Sequence, residues 1–406
     1  MKFLIYSSLF IYISFYIFEA PLRYAFALVG LDNLIFIRDI ILLFPLSFFI
    51  LFKQLLLHRQ PTSFIIFSLI ILVHGLVSYL NFQNFFILLY STKVLSTALV
   101  GALIAPYVMK PHPKVIHFTL FFWLCTAVGL FLDKYILTFP WIGMTATIGD
   151  IVVDVGKDWM IAGEDKRVGG FMRSSINAAI GTPILSFLLI LHLQRVFLKI
   201  CVLLVTLVLL YWTTQKASIL AFLFTCSCLV FYKRPIPLLK LAITFALLLM
   251  IALPTVLPLY EMPTARGVFT LGSFYMRVED VWPRAWIWIE RNSLFPFGVG
   301  LGGIGGAMRF YAPDDVNYAD NMFLFFYACF GLFAFVYMIW IWLTCIRVKN
   351  SDTTPTILAL SVLSFLLFYG SALTVLEDQM ASLFFGAALS WLATLNKKRA
   401  RIHAAQ

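Results

Sequence analysis

Two stretches of this chain carry closely spaced cations, and three isolated charges sit in otherwise apolar sequence. The first stretch, "EDKRVGGFMRSSINAAIG" (164–181), holds Lys166, Arg167 and Arg173, with Asn177 at the mouth of an apolar segment. The second, "GSFYMRVEDVWPRAWIWIERNSLFPFGVGLGGIGG" (272–306), holds Arg277, Arg284 and Arg291 among acids and tryptophans. The isolated charges are Lys93, Lys216 and Asp320, the last followed by Asn321. Guanidinium groups present a rigid fork of N–H donors that fits phosphate and carboxylate oxygens, so the chemistry suggested is anion binding. Charges within apolar segments are costly and usually face a bundle interior or a wet cavity. The plainer readings are a solvated loop for the first stretch, an interfacial anchor for the second, and snorkelling to the interface for the two lysines. His74, at a similar depth, reads as a polar group in helix packing.

The second stretch ends in six glycines within nine residues (298–306), containing two overlapping G-x-G-x-x-G strings. A dinucleotide fingerprint needs a preceding strand inside a βαβ unit. Here the preceding residues read as a helix instead. Pro283 suits a first helical position, Ala285, Trp286 and Ile289 form an apolar face, and Arg284 and Arg291 share the other. Proline opposes an extension back to Arg277, so the helix is expected to begin at Pro283 and lie at the membrane surface, Trp side down. The glycines are expected to let backbone pass close to something, either a lipid-borne diphosphate or a neighbouring helix.

The elements that must position these residues are membrane spans. The 406 residues are 62% hydrophobic and 12% charged, with a mean hydropathy of +0.94. That composition excludes a soluble protein of this size. Crossing the hydrocarbon takes about 20 apolar residues, and such stretches recur from end to end. The reading is an all-α polytopic membrane protein with about twelve spans, near 3–18, 35–52, 63–80, 87–108, 117–133, 175–192, 199–213, 217–232, 238–257, 321–345, 357–375 and 381–396. The first is read as a retained span, since no small-residue cleavage site follows it. Alternate connections, with their boundary residues, hold 16 of the 30 Lys and Arg but only one acid, Asp352. By the positive-inside rule both termini are cytoplasmic. The net charge of +11 reflects this bias and not nucleic-acid binding, and the tail "NKKRARIHAAQ" suits anionic lipid. The six cysteines all fall in spans, which argues against a disulfide framework or a zinc site. Residues 1–406 read as one membrane domain with two long outer loops, about 134–174 and 258–320, containing short helices and most of the acids.

The order of motifs resembles a known family. Arg167, Gly170 and Phe171 precede Asn177 at a span mouth; Thr213 to Ser218 join two spans with Lys216 at a basic position. Arg277 and Trp286 precede Asn292, Leu294, Gly298, Gly300 and Gly302, and Asp320, Asn321, Phe323 and Leu324 precede Gly331. "IRDIILL" (37–43) also looks like the family's second span. The pattern resembles the O-antigen polymerase and O-antigen ligase superfamily of bacterial membrane glycosyltransferases. The resemblance covers most of the chain and implies work on the periplasmic face of the inner membrane. Glycan would be transferred from undecaprenyl diphosphate without metal, nucleotide or other cofactor. Ligases of the family have His where Asp320 stands and Arg where Lys216 stands, which favours the polymerase branch.

The resemblance therefore implies a polymerase whose donor and acceptor are both undecaprenyl-diphosphate-linked oligosaccharides, with a chain-length regulator and a flippase as partners beside the membrane lipids. Asp320 would be the base, and Arg277, with Arg284 and Lys216, would stabilise the leaving diphosphate. Lys216, Arg284, Arg167, Lys93, Arg173 and Arg291 would bind diphosphate, and Asn177, Asn321, Trp286 and Tyr318 would contact glycan. Glu279, Asp280, Glu164 and Asp165 remain alternative bases, and Trp282 is a further aromatic for sugar faces. The competing readings are an O-antigen ligase and a lipid-linked oligosaccharide transporter. A transporter should show two related halves, and the sequence shows none.

Overall fold

The computed structural model describes residues 2–31, 34, 62–148, 151–157, 166–230, 234–256, 271–348 and 353–404. The expected span at 35–52, the "IRDIILL" stretch, Glu164 and Asp165 lie outside the described residues. The chain divides into two compact units, Met1–Ile50 with Pro106–Cys226, and Leu51–Ala105 with Ser227–Gln406.

The first unit contains α1 (Lys2–Ile17) and α2 (Glu19–Leu28), which bend by 76° at Phe18. Glu19 and Arg23 are buried on α2 as an ion pair of 2.5 Å. The β-branched run 145–153 forms a hairpin of β1 (Thr145–Ile148) and β2 (Ile151–Asp154), with Thr145 opposite Asp154. The first long loop was expected to hold short helices; among the described residues it holds this hairpin. Alternating Thr, Ile and Val favour a pleated conformation over a helix.

In the second unit α3 (Thr62–Phe82) is followed by α4 (Phe85–Met109), which continues into the first unit; then α5 (Pro113–Tyr135), α6 (Ser175–His192) and α7 (Val196–Thr213) belong to the first. Helix α8 (Lys216–Val230) leads back to the second unit, which contains α9 (Pro235–Val256), α10 (Gly272–Met276), α11 (Trp282–Asn292), α12 (Met322–Phe330), α13 (Phe333–Ile346), α14 (Thr354–Gly370) and α15 (Gln379–Ala404). Among the described residues five helices are long and apolar enough to cross a membrane, six if α1 and α2 form one span.

The surface is apolar and the interior holds polar groups, as a lipid solvent requires. Leu72, Leu76 and Leu80 form an exposed stripe along α3, and Leu241 and Leu248 do the same on α9. Inside the first unit the Trp123 indole N–H on α5 donates to Ser186 Oγ on α6 (3.0 Å) and Thr206 Oγ1 on α7 (3.2 Å). Ser186 and Thr206 are 2.7 Å apart. Interhelical hydrogen bonds between spans average about 0.6 kcal/mol. Ser186→Ala should therefore lower the thermal midpoint in detergent slightly, with a cost of about 0.6–1.7 kcal/mol. An unchanged midpoint would show that the triad does not hold the three helices.

In the second unit α4 and α15 approach backbone to backbone. A Cβ on Gly101 would fall 1.9 Å from Leu383 O, and one on Gly386 would fall 1.9 Å from Ala98 O. Ser390 Oγ donates to Ala102 O across the same crossing. Small residues and serine at a helix crossing are how spans associate when lipid supplies no hydrophobic drive.

The expected span at 321–345 is broken. Helix α12 ends at Phe330, Gly331 turns with φ +57°, and α13 starts at Phe333. The position a Cβ would take at Gly331 is 2.2 Å from Pro296 O, so the glycine-rich loop occupies the break. Leu332 N–H donates to Pro296 O and Val299 N–H donates to Ala328 O, so the loop's backbone satisfies groups that the broken helix leaves open.

Candidate active site

Arg277 and Asp320 meet. Arg277 Nε lies 3.0 Å from Asp320 Oδ2, with side chains 19% and 26% exposed. The N–H of Nε is not aligned into a hydrogen bond, so the contact is chiefly an ion pair. Arg277 Nη1 donates to Ser273 O (2.9 Å), which holds the guanidinium against its own helix. Among the described residues Asp320 Oδ1 has no protein partner, and it is not a buried orphan. One carboxylate oxygen is thus oriented by a cation, and the other has no partner among the described residues.

The helix carrying Arg277 runs through Pro283, contrary to the expected start. Residues 277–281 form a wide turn in which Trp282 N–H bonds Arg277 O, five residues back. The wider turn lets the chain pass into α11 without the N–H that proline lacks. Trp282, Ala285 and Ile289 pack inward and are buried by protein, while Arg284 and Arg291 are exposed.

A buried asparagine that the sequence reading missed gathers the site. Asn317 Nδ2 donates to Val281 O at the end of the wide turn (3.0 Å), and its Oδ1 accepts from Ala319 N–H (2.7 Å). Its carbonyl accepts from Gly305 N–H (2.8 Å), and its own N–H points to Met308 Sδ (3.3 Å). The Arg277 turn, the glycine loop and the Asp320 segment are tied by this one residue. Ala319 and Asp320 both have left-handed backbones, φ +60° and +43°. Such conformations cost non-glycine residues about 1–2 kcal/mol each, and here the Asn317 hydrogen bonds hold the first of them.

Set against known proteins, this chain matches no family model, no curated protein and no solved structure.

Asn321 is completely buried and caps α12. Its Oδ1 accepts from Phe323 and Leu324 N–H, and its Nδ2 donates to Met250 O and Ser371 O. It was expected to contact glycan, but every polar atom is committed, so it anchors the Asp320 segment between helices. Trp286 donates its N–H to Pro254 O (2.9 Å) and packs on Phe323 and Tyr327, acting as a structural wedge. Asp280, an alternative base, pairs with Arg284 at 2.6 Å, and both are more than half exposed. Glu279 is exposed beside it. Lys93 is half-buried on α4, and its carbonyl accepts from Ser96 Oγ. His74 is buried among Phe297, Phe330, Phe333 and Tyr337, as expected of a packing group.

The glycines are packing residues. A Cβ on Gly298 would strike Ala328 O at 2.6 Å, and one on Gly300 would strike Ser78 N at 2.4 Å. Asn81 Nδ2 on α3 fastens the loop through Val299 O (2.8 Å) and Asn292 O (3.1 Å). The Gly306 N–H, available in principle to an anion, is spent on Glu377 Oε1 at 2.7 Å. The backbone of α3 and α12 is one of the neighbours expected for this loop. Tyr311 Oη donates to Gly302 O (3.0 Å), and burial, helped by the Cys329 sulfur, pushes this phenol above its ordinary range.

In the first unit Lys166 pairs with a buried acid. Asp133 at the end of α5 is 1% exposed in its side chain; Oδ1 pairs with Lys166 Nζ (2.7 Å). Oδ2 accepts from Gly169 N–H (3.1 Å) and Gly170 N–H (2.9 Å). This carboxylate shapes the loop bearing Arg167, whose neighbour Val168 donates to Trp212 O (3.4 Å) just before the Lys216 corner. Lys216 follows Thr214, which is left-handed (φ +57°), and Ser218 Oγ docks α8 on α6 through Ala179 O (2.7 Å). Asn177 closes a cap with Ser174 at the start of α6: Ser174 Oγ donates to Asn177 Oδ1 (2.6 Å) and accepts from its N–H. Arg173 lies 4.0 Å from Asp154 on β2. Arg167, Arg173, Asn177 and Lys216 thus belong to the first unit, and Arg277, Asp320, Asn321 and Tyr318 to the second. Asp133→Ala strands the Gly169 and Gly170 N–H groups, the second of them buried, and should cost about 1–3 kcal/mol. Limited proteolysis between 155 and 175 should accelerate in that variant, and an unchanged cleavage rate would contradict the role given to Asp133.

Proposed function

We propose that this protein is a membrane glycosyltransferase that polymerises undecaprenyl-diphosphate-linked repeat units of O-antigen or a related surface polysaccharide. The observation that carries the reading is the Arg277–Asp320 contact, with one carboxylate oxygen held and the other open. Asp320 Oδ1 takes the proton of an acceptor sugar hydroxyl as its oxygen bonds to the donor's anomeric carbon. The bond from that carbon to the diphosphate breaks, and the electron pair leaves with undecaprenyl diphosphate. Arg277 stabilises the charge that develops there, as a preorganised cation does at a leaving group. A single displacement inverts the anomeric configuration. Within the second unit Arg284 and Arg291 lie on the exposed face of α11, and the reading gives them contacts to the carrier lipid. Tyr318, two residues before Asp320, is the aromatic this reading gives to the glycan.

The proposal places the protein in the bacterial inner membrane with about twelve spans, cytoplasmic termini and a periplasmic active face. A flippase would supply substrate and a chain-length regulator would set polymer size. Deleting the gene in a smooth strain and running its lipopolysaccharide on a gel tests the reading. Core carrying a single repeat is expected. Core with no repeat would point to the ligase instead, and an unchanged ladder would rule out both.

A further inference from the structure

Arg309 has no role in the mechanism above, and its surroundings are unusual. It sits half-buried at the short 3₁₀ turn Gly306–Phe310, directly after the glycine loop. Its Nη2 donates to the Tyr318 hydroxyl, and its guanidinium carbon lies 5.8 Å from the centre of that ring. The other arginines of the 272–320 region for which an ion pair is seen, Arg277 and Arg284, have carboxylates at 3.0 and 2.6 Å. Among the described residues Arg309 pairs with none: Asp314 and Asp315, close in sequence, are exposed and lie beyond ion-pair distance. Its Nε and Nη1 are not buried orphans, so both remain reachable from outside. A half-buried guanidinium fixed by a phenol, with one edge open and no counter-charge among the described residues, is a preorganised fork for two anionic oxygens. Tyr318 is itself held, its carbonyl accepting from Thr374 Oγ1 (2.6 Å), and it lies two residues before Asp320.

We propose that Arg309 and Tyr318 form an oxyanion-binding site next to the Arg277–Asp320 pair in the chain, taking a substrate group that presents two oxygens to the guanidinium edge. That group is either a phosphate of the carrier lipid or the carboxylate of an acidic sugar; the recognition chemistry is the same. The site rests on the polymerase reading only for the identity of its substrate.

Binding to purified full-length protein in detergent tests it, with inorganic pyrophosphate, undecaprenyl diphosphate, glucuronate and undecaprenol as probes. Wild type should bind at least one of the anions, and Arg309→Gln should weaken that binding at least tenfold while leaving undecaprenol unaffected. Arg309→Lys, which keeps charge but loses the fork, should fall between. Tyr318→Phe should weaken the anion severalfold, and it serves if Arg309→Gln fails to fold. Loss of pyrophosphate binding assigns the site to the carrier, and loss of glucuronate binding assigns it to the sugar. Equal anion affinity in wild type and Arg309→Gln, or no anion binding by wild type, overturns the site. The gel of the deletion strain decides the polymerase reading separately. An unchanged ladder with anion binding lost in Arg309→Gln sinks the polymerase and leaves the site standing. A ladder that needs the protein, with anion binding unchanged in Arg309→Gln, does the reverse.

Discussion

Asp320→Asn should reduce polymer formation by about 10²–10⁴-fold at unchanged protein level, the range expected when a positioned general base is removed. The amide keeps the shape of the side chain and can still sit beside Arg277, but it takes no proton. Asn321 keeps its four hydrogen bonds in that variant, so α12 should stay capped and the thermal midpoint should hardly move. Donor binding should persist, and it should tighten, because Arg277 no longer faces a carboxylate at 3.0 Å. Arg277→Gln should behave differently: it removes the stabilising cation, costs about 10²–10³-fold in turnover, and weakens donor binding as well. Measuring turnover and donor affinity in both variants separates a base from a cation. Laddering that persists in Asp320→Asn would remove Asp320 from the chemistry.

Gly300→Ala should be the most damaging small change in the glycine loop. Its φ of +97° is unfavourable for any side chain, and the added carbon would sit 2.4 Å from the backbone nitrogen of Ser78 on α3. The conformational cost is about 1–2 kcal/mol, and overpacking a tight contact adds about 1–3 kcal/mol. Together these predict a loss of about 2–5 kcal/mol, seen as low yield of folded protein and a depressed thermal midpoint. Gly30→Ala is the comparison: φ is +70°, but nothing lies within 4 Å of the added carbon, so only the conformational part should appear. A Gly300→Ala protein as stable as wild type but unable to polymerise would return the loop to substrate binding.

Membrane character was legible from composition, because the free energy of placing a segment in hydrocarbon depends on the residues in it and little on their partners. Helices α5, α6, α7 and α9 fall where apolar stretches predicted them. The break at Gly331 was not legible, since it depends on the Pro296 carbonyl arriving from a distant loop. The hairpin at 145–154 left a local signal in its β-branched residues. Asn317 and Arg309 were invisible for another reason: nothing in their own neighbourhoods marks them. Their importance comes from Val281, Gly305 and Tyr318, which folding brings to them.

The sequence by itself determined a helical chain built for lipid and, through motif order, singled out Arg277 and Asp320. Only the tertiary structure decided that these two touch and which carboxylate oxygen stays open. It also decided that the glycine-rich run serves packing and that Asn321 is an anchor. The division follows from physics. Transfer into lipid is close to a sum over residues, whereas hydrogen bonds, ion pairs and close backbone contacts depend on geometry between segments far apart in the chain.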